Sequence, residues 1–177
     1  MGPIRTVILR TSAVLDRLAS VVTCIALVLL VGIVLLQVVA RYLFDQPPSW
    51  TEEAARYAMI WAGLIGASMA FKRRFDPALM NSVKGGPLWL QTGAELLRSI
   101  VVVIYLGPIL LYCFVGPNLN LARGFLLRHS KTMAEALPFT TFWVAIAVPL
   151  MILMVFVHLV ARHMGDRPPA DSDAIEE

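Results

Sequence analysis

Residues 18–40, 57–71, 99–122 and 136–157 contain no charged side chain, and each run is apolar on every side rather than alternating. This constrains the fold more than any other feature. A bilayer core of roughly 30 Å is crossed by about 20 apolar residues of helix. The first, third and fourth runs reach that length outright; the second does so once the charged turn back to Trp50 is included. A membrane barrel would need alternating segments of about ten residues, and backbone groups in lipid must be satisfied internally, which leaves helices. Composition agrees, with 58% hydrophobic and 15% charged residues and a mean hydropathy of +0.74, against about half and about a quarter in a soluble domain. The expectation is an all-α integral membrane protein with four transmembrane helices, at about 18–40, 50–72, 99–122 and 137–161, in one membrane domain over 1–165. The acidic, proline-bearing stretch 166–177 reads as a disordered tail.

Arg5, Arg10 and Arg17 precede the first run, as in a signal peptide. The run exceeds the usual apolar region of about 7–15 residues and no A-x-A cleavage pattern follows, so a retained anchor is expected. Ahead of it, Ile4, Val7, Ile8, Thr11, Val14, Leu15 and Leu18 share one helical side, with Arg5, Ser12 and Asp16 on the other. Such a segment either lies in the lipid interface as an amphipathic helix or simply continues the first span. Cys24 and Cys113 sit inside apolar runs without C-x-x-C spacing, so neither a thiol-redox motif nor a zinc site is expected.

Pro47-Pro48 enforces a break after the first span. "SWTE", Ser49 to Glu52, then reads as a capping box, the Ser49 hydroxyl accepting from the Glu52 N–H while the Glu52 carboxylate reaches back. Arg56 has ion-pair spacing to both Glu52 and Glu53. It lies near enough to the helix start to snorkel to the headgroups, with Trp50 and Tyr57 close to the interfacial belt. Glu53 and Arg41 are left without assigned partners. Within the span, Ala58, Ala62, Gly66 and Ala70 repeat every four residues, with Ala55, Gly63 and Ala67 close by. In lipid, small residues mark helix-packing faces, here either within this subunit or on another protein.

"LWLQTGAELLR" is half polar and reads as an approach along the interface to a third span beginning near Ser99. Pro108 predicts a kink there, and Gly116-Pro117 a bend or an end. A loop over about 118–137 carries Arg123, Arg128, His129 and Lys131; Pro138 is expected to open the fourth helix, Pro149 to kink it and Gly165 to close it. With the N-terminus inside, Arg5, Arg10, Arg17, Lys72, Arg73, Arg74, Lys84, Arg162 and Arg167 fall in the cytoplasm, against Arg41, Arg123, Arg128 and Lys131 outside. The positive-inside bias therefore favours cytoplasmic N- and C-termini. The formal charge of +3 is a topology signal: cations split among membrane flanks suit the lipid bilayer and not a nucleic acid.

Chemistry is conspicuous by its absence. A charge buried within a span would mark a functional site, and the mid-span positions carry none. His158 could ligate haem only with a second histidine at matching depth, whereas His129 and His163 lie in a loop and at a helix end. No nucleophile–base pair, phosphate loop or H-E-x-x-H occurs. The expectation is a non-enzyme without metal or cofactor, built to sit beside something else.

The stretch "RYLFDQPPSWTEEAARYAMIWAGLIGASMAFKRR" resembles the signature of the small membrane subunit of tripartite ATP-independent periplasmic (TRAP) transporters, the DctQ-like component. Arg41, Tyr42, Phe44, Trp50, Glu52, Glu53, Arg56, Tyr57, Trp61, Gly66 and Ala67 fall on the pattern, and "SKTMAEALPFTTFWVAIAVPL" fits more loosely. The family often has a histidine and then an aspartate after its second helix; here Arg73, Arg74 and Asp76 occupy that region without the histidine. The resemblance implies a three-part system of the bacterial inner membrane. A periplasmic binding protein delivers an organic acid, a large permease subunit carries it inward with sodium, and the small subunit braces the large one. On that reading Arg41, Trp50, Glu52, Glu53, Arg56, Trp61 and the Ala62/Gly66 stripe form the interface with the large subunit, and Arg123, Arg128 and Lys131 face the binding protein or lipid headgroups. The rivals are the small subunit of a tricarboxylate three-part transporter, the membrane anchor of a respiratory enzyme, and a free-standing small transporter.

Overall fold

The computed structural model describes residues 3–73, 88–116 and 120–166. Expectations for Arg74, Asp76, Lys84, Pro117, Arg167 and the acidic tail fall outside them. Helix α1 spans Pro3–Leu43, α2 Ser49–Arg73 and α3 Leu88–Phe114. A 3-10 turn at Leu121–Arg123 leads into short α4, Phe125–Lys131, followed by α5, Phe142–Ala145, and α6, Ala147–His163. Among the described residues four helices are long and apolar enough to cross a membrane: α1, α2, the Thr92–Phe114 part of α3, and α5 with α6 taken together. The protein is an all-α membrane protein.

Residues 4–18 form no separate interfacial helix: α1 runs unbroken for 41 residues, about 60 Å at 1.5 Å per residue. Its polarity is inverted relative to a water-soluble helix. Ser12 and Asp16 are buried against the protein, while Ile4, Val7, Val14 and Leu18 are exposed. Most of the apolar side of the amphipathic period thus faces outward, with Leu15 turned to the core, and the polar side faces other helices.

Three further differences have local causes. "LWLQTGAELLR" is no separate approach segment but the first turns of α3, and that helix stays continuous through Pro108 and ends at Phe114 rather than near 122. Beyond its end the backbone doubles back through a Gly116–Asn120 bridge. A Cβ on Gly124 would lie 2.3 Å from Phe114 O, so only glycine permits the return. The fourth span opens at Phe142 rather than Pro138, because Met133 and Thr140 form an antiparallel bridge that holds Pro138 in a turn. Pro149 interrupts the hydrogen bonding of that span at one point, in line with the expected kink: a proline ring crowds the carbonyl four residues earlier, here Ala145, where α5 ends, while Ile146 keeps helical angles, φ −65 and ψ −21. Gly165, at φ 88, closes α6, the Asp166 N–H reaching back to Ala161 O at 3.0 Å.

Helix α2 packs antiparallel to α1 across the largest interface, and α6 lies along both, parallel to α2. Trp61 meets Trp143, Ser68 meets Met154, and Lys72 meets Ser12. The core cluster is Ala19, Ile65 and Met154, with Leu15, Val22, Trp61 and Met69 against it. Half of the most apolar stretch of the fourth span (50%) is buried, against 11% in α1 and in α3. The α5–α6 span is therefore central, and α3 is an outlying helix that touches α6 and α4. We call the end with Arg5, Lys72 and His163 basal, and the end with the α1–α2 turn apical.

Candidate functional site

At the apical end Pro48 stops α1 from continuing, and the chain turns with Asp45 in the left-handed region, φ 53, before α2 starts at Ser49. The expected Ser49–Glu52 capping box does not form. The Thr51 hydroxyl and N–H both donate to Pro48 O, at 2.7 and 3.2 Å, which ties the first turn to the preceding proline. Glu52 turns outward to Arg56, 3.2 Å away, with the two side chains 75% and 55% exposed.

The adjacent Glu53 points the other way and is buried. Its Oε1 accepts from Tyr57 OH at 2.5 Å and from the Glu135 N–H at 3.1 Å, and its Oε2 from the Ala136 N–H at 2.7 Å. The expectation that Glu53 lacks a partner within the chain is corrected: both carboxylate oxygens are taken by its own residues. Two of the donors belong to the hairpin between α4 and α5, whose arms are joined by Ala134 N–H to Phe139 O at 3.0 Å and Thr141 N–H to Thr132 O at 2.9 Å. One and two turns further along α2, Tyr57 lies against Phe139, the rings tilted by 49° with centroids 6.3 Å apart, and Trp61 Nε1 donates to Trp143 O at 3.2 Å. Spacing of four puts all three on one helical stripe.

The proposed interface residues therefore do not share one face. Ala62 is buried, and a Cβ on Gly66 would meet Thr23 Cγ2 of α1 at 3.7 Å, so this part of the small-residue stripe packs inside the subunit. A different stripe faces outward: Glu52, Arg56, Met59, Gly63, Ala67 and Ala70 are all exposed, and a Cβ on Gly63 would meet nothing within 4 Å. Trp50 and Arg41 are exposed beside it. Arg123, Arg128 and Lys131 are exposed on the 3-10 turn and α4, next to the hairpin.

The basal end holds a polar cluster that the sequence reading did not assemble. Ser12 Oγ donates to Asp166 Oδ2 at 3.0 Å and lies 3.0 Å from His158 Nδ1. A hydroxyl has one hydrogen, so the ring donates through Nδ1, leaving Nε2 buried and unpartnered. Lys72 Nζ donates to Ser12 O at 2.9 Å, and Arg73 donates to Ser20 Oγ at 2.9 Å and stands 3.7 Å from Asp16 Oδ2. Arg5 Nε donates to Met164 O at 2.8 Å. Arg162 pairs with Glu95, and Ser99 lies 2.8 Å from His163, so α3 is tied to α6 here. Arg10 and Arg17 stay exposed on α1. The signal that could have revealed the cluster is the Ser12, Asp16, Ser20 spacing of four on one side of α1.

Between the two ends the described residues of the spans offer no charged side chain and no cluster of polar ones. An apolar groove between α1 and α6 is lined by Ile8, Thr11, Leu153, Phe156, Val157 and Val160. The Thr11 hydroxyl already donates to Val7 O at 3.0 Å, so the groove presents an apolar wall.

Against known proteins, residues 30–167 match the family described as "Tripartite ATP-independent periplasmic transporters, DctQ component". A curated Haemophilus influenzae protein, provisionally named a TRAP transporter small permease protein, is 31% identical over 101 residues, which are 56% of this chain and 63% of that one. The match thus spans less than two thirds of that relative's length. No solved structure matches the chain.

Proposed function

Since the chain belongs to the DctQ component family of TRAP transporters, we propose that it is the small membrane subunit that braces a large permease subunit during uptake of an organic acid. In this reading a periplasmic binding protein delivers the substrate, sodium drives the large subunit, and the basal end faces the cytoplasm of the inner membrane.

The observation that carries it is the distribution of charge. Residues 18–40, 57–71, 99–114 and 142–157 of the spans are without a charged side chain, and the ionisable groups gather at the two ends. A subunit that bound sodium or a carboxylate at membrane depth would need polar groups there; one that packs beside a permease needs an uncovered helix face. The outward stripe Met59, Gly63, Ala67 and Ala70 fits close approach of a partner helix, flanked apically by Trp50, Arg56 and Arg41. Arg123, Arg128 and Lys131 offer a cationic surface to the binding protein.

Gly63→Leu with Ala67→Leu tests the packing face. Neither change fills space within the subunit, so the purified chain keeps its thermal midpoint while the large subunit no longer co-purifies and uptake falls. Undiminished complex would show that this face meets only lipid.

A further inference from the structure

We infer that Glu53, Tyr57 and Trp61 form an intramolecular staple that fixes the 133–143 connection, making Glu53 a positioning residue for the apical surface. All three lie on the family signature in α2, and the resemblance assigns two of them, Glu53 and Trp61, to a contact with another subunit. The geometry turns them inward. Glu53 uses both oxygens on consecutive backbone N–H groups and a phenol, Tyr57 lies against Phe139, and Trp61 holds Trp143 O. The segment gripped in this way has little of its own to hold it. It is joined across by one bridge, Met133 to Thr140, and its tip, Glu135 and Ala136, is exposed.

Backbone donors make this grip specific. A carboxylate accepting from two successive N–H groups dictates the dihedral angles between them, so the bond selects one hairpin conformation. In that conformation Met133 and Phe139 of the hairpin are exposed, as are Arg128 and Lys131 of α4, the helix that precedes it. The hairpin is tied in turn to α4 through His129 Nδ1 and Thr141 Oγ1, 2.8 Å apart. The staple therefore reaches from α2 through the hairpin to the helix that carries the cations. Glu52, one residue earlier, takes no part.

The structural half of the inference stands on the chain alone; the functional half, that the staple presets the surface met by the binding protein, rests on the reading above. Glu53→Gln keeps the size of the side chain but places an amide donor against one of the two N–H groups. In nanodiscs, hydrogen exchange at the Glu135 and Ala136 amides should rise about tenfold or more, the factor of one charge-assisted hydrogen bond, with Glu52→Gln unchanged. Equal exchange in the wild type and Glu53→Gln, or equal acceleration by Glu52→Gln, would overturn the staple. Tyr57→Phe, which removes one donor and keeps the ring, should give a smaller rise and serves if Glu53→Gln misfolds.

In the full three-part system in liposomes, Glu53→Gln should raise the binding-protein concentration at half-maximal uptake several-fold while the maximal rate and the co-purified large subunit persist. Met133 and Thr140 form the closer, non-hydrogen-bonded type of antiparallel pair, with Cα atoms about 4.5 Å apart, within disulfide range. Oxidised Met133→Cys with Thr140→Cys, made with Cys24→Ala and Cys113→Ala, should restore the half-maximal concentration. Loss of the large subunit from Glu53→Gln would instead put Glu53 at the subunit contact and overturn the positioning role. Wild-type chain that supports no binding-protein-dependent uptake would sink the transporter reading and leave the exchange result standing.

Discussion

Glu53 at the apical end and Asp16 at the basal end are both buried carboxylates, 9% and 8% exposed, held in opposite ways. Glu53 is satisfied on both oxygens, largely by backbone donors from a segment more than eighty residues away. Asp16 faces Arg73 at 3.7 Å, beyond hydrogen-bond length, and its Oδ1 has no partner. Around it, His158 Nε2, Arg73 Nε and two nitrogens of Arg162 are likewise buried and unpartnered. Backbone donors cannot change partners without refolding the loop, whereas side chains in a network can exchange them. The apical end is thus a fixed form, and the basal end a set of charges held near one another. The family match, over residues 30–167, takes in the whole staple and the basal groups on α2, α3 and α6, and leaves out the α1 side of the basal cluster, Arg5, Ser12, Asp16 and Ser20.

The contrast breaks most readily at the basal end, through Glu95. Arg162 is 8% exposed along its side chain, and Glu95 is the counter-charge it touches. Removing one partner of a buried pair leaves the other uncompensated, at about 3–5 kcal/mol. Glu95→Ala should therefore lower the thermal midpoint of the purified chain by several degrees and loosen α3, which has few other ties to α6. Adding Arg162→Leu should recover most of the loss, since an apolar replacement of the whole pair is often neutral. A midpoint unmoved by Glu95→Ala would mean that water already reaches Arg162, and the two ends would then differ less than their contacts suggest.

Much of this was legible in the sequence, for one physical reason. The four apolar runs need no tertiary information, because lipid imposes the helix on any stretch of that length. Number of spans, class and the charge-free middle follow directly. What the runs could not show is which way a side chain points once other helices arrive. Glu52 and Glu53 are identical in type and adjacent, and only the hairpin, folded back from 135–136, separates their roles. The Ala62/Gly66 stripe was visible as a packing face, but its partner, Thr23 of the same chain, was not. In α1 the period was right, and the side assigned to protein and lipid could be chosen only once Ser12 and Asp16 had something to meet. Pro138 read as a helix start because the hairpin that holds it in a turn, closed by the Met133–Thr140 bridge, is gripped by Glu53 from far away in the chain.

A smaller effect sharpens the apical half of the comparison. Trp61→Phe removes the bond from Nε1 to Trp143 O, worth about 0.5–1.5 kcal/mol, and keeps a smaller aromatic ring against the core, so the effect should be mainly local. Faster exchange over 141–146 with an unchanged midpoint is the expected outcome. A fall in midpoint as large as that of Glu95→Ala would show that the staple also carries global stability.

The smallest effect on the isolated chain is expected one residue before the staple. The Glu52–Arg56 pair is mostly exposed on both sides, and such pairs contribute under about 1 kcal/mol and weaken with salt. Glu52→Gln should leave the midpoint of the purified subunit within error and leave hairpin exchange untouched. The same substitution has a different consequence if the outward α2 stripe is covered in the assembled transporter, because Arg56 would then be desolvated without its carboxylate. The yield of complex after Glu52→Gln, measured at low and at high salt, separates the cases. A loss of complex at both salt concentrations places the pair inside a dry contact, a loss at low salt alone places it at the rim, where high salt screens it already, and an unchanged yield at both leaves Glu52 facing headgroups and water.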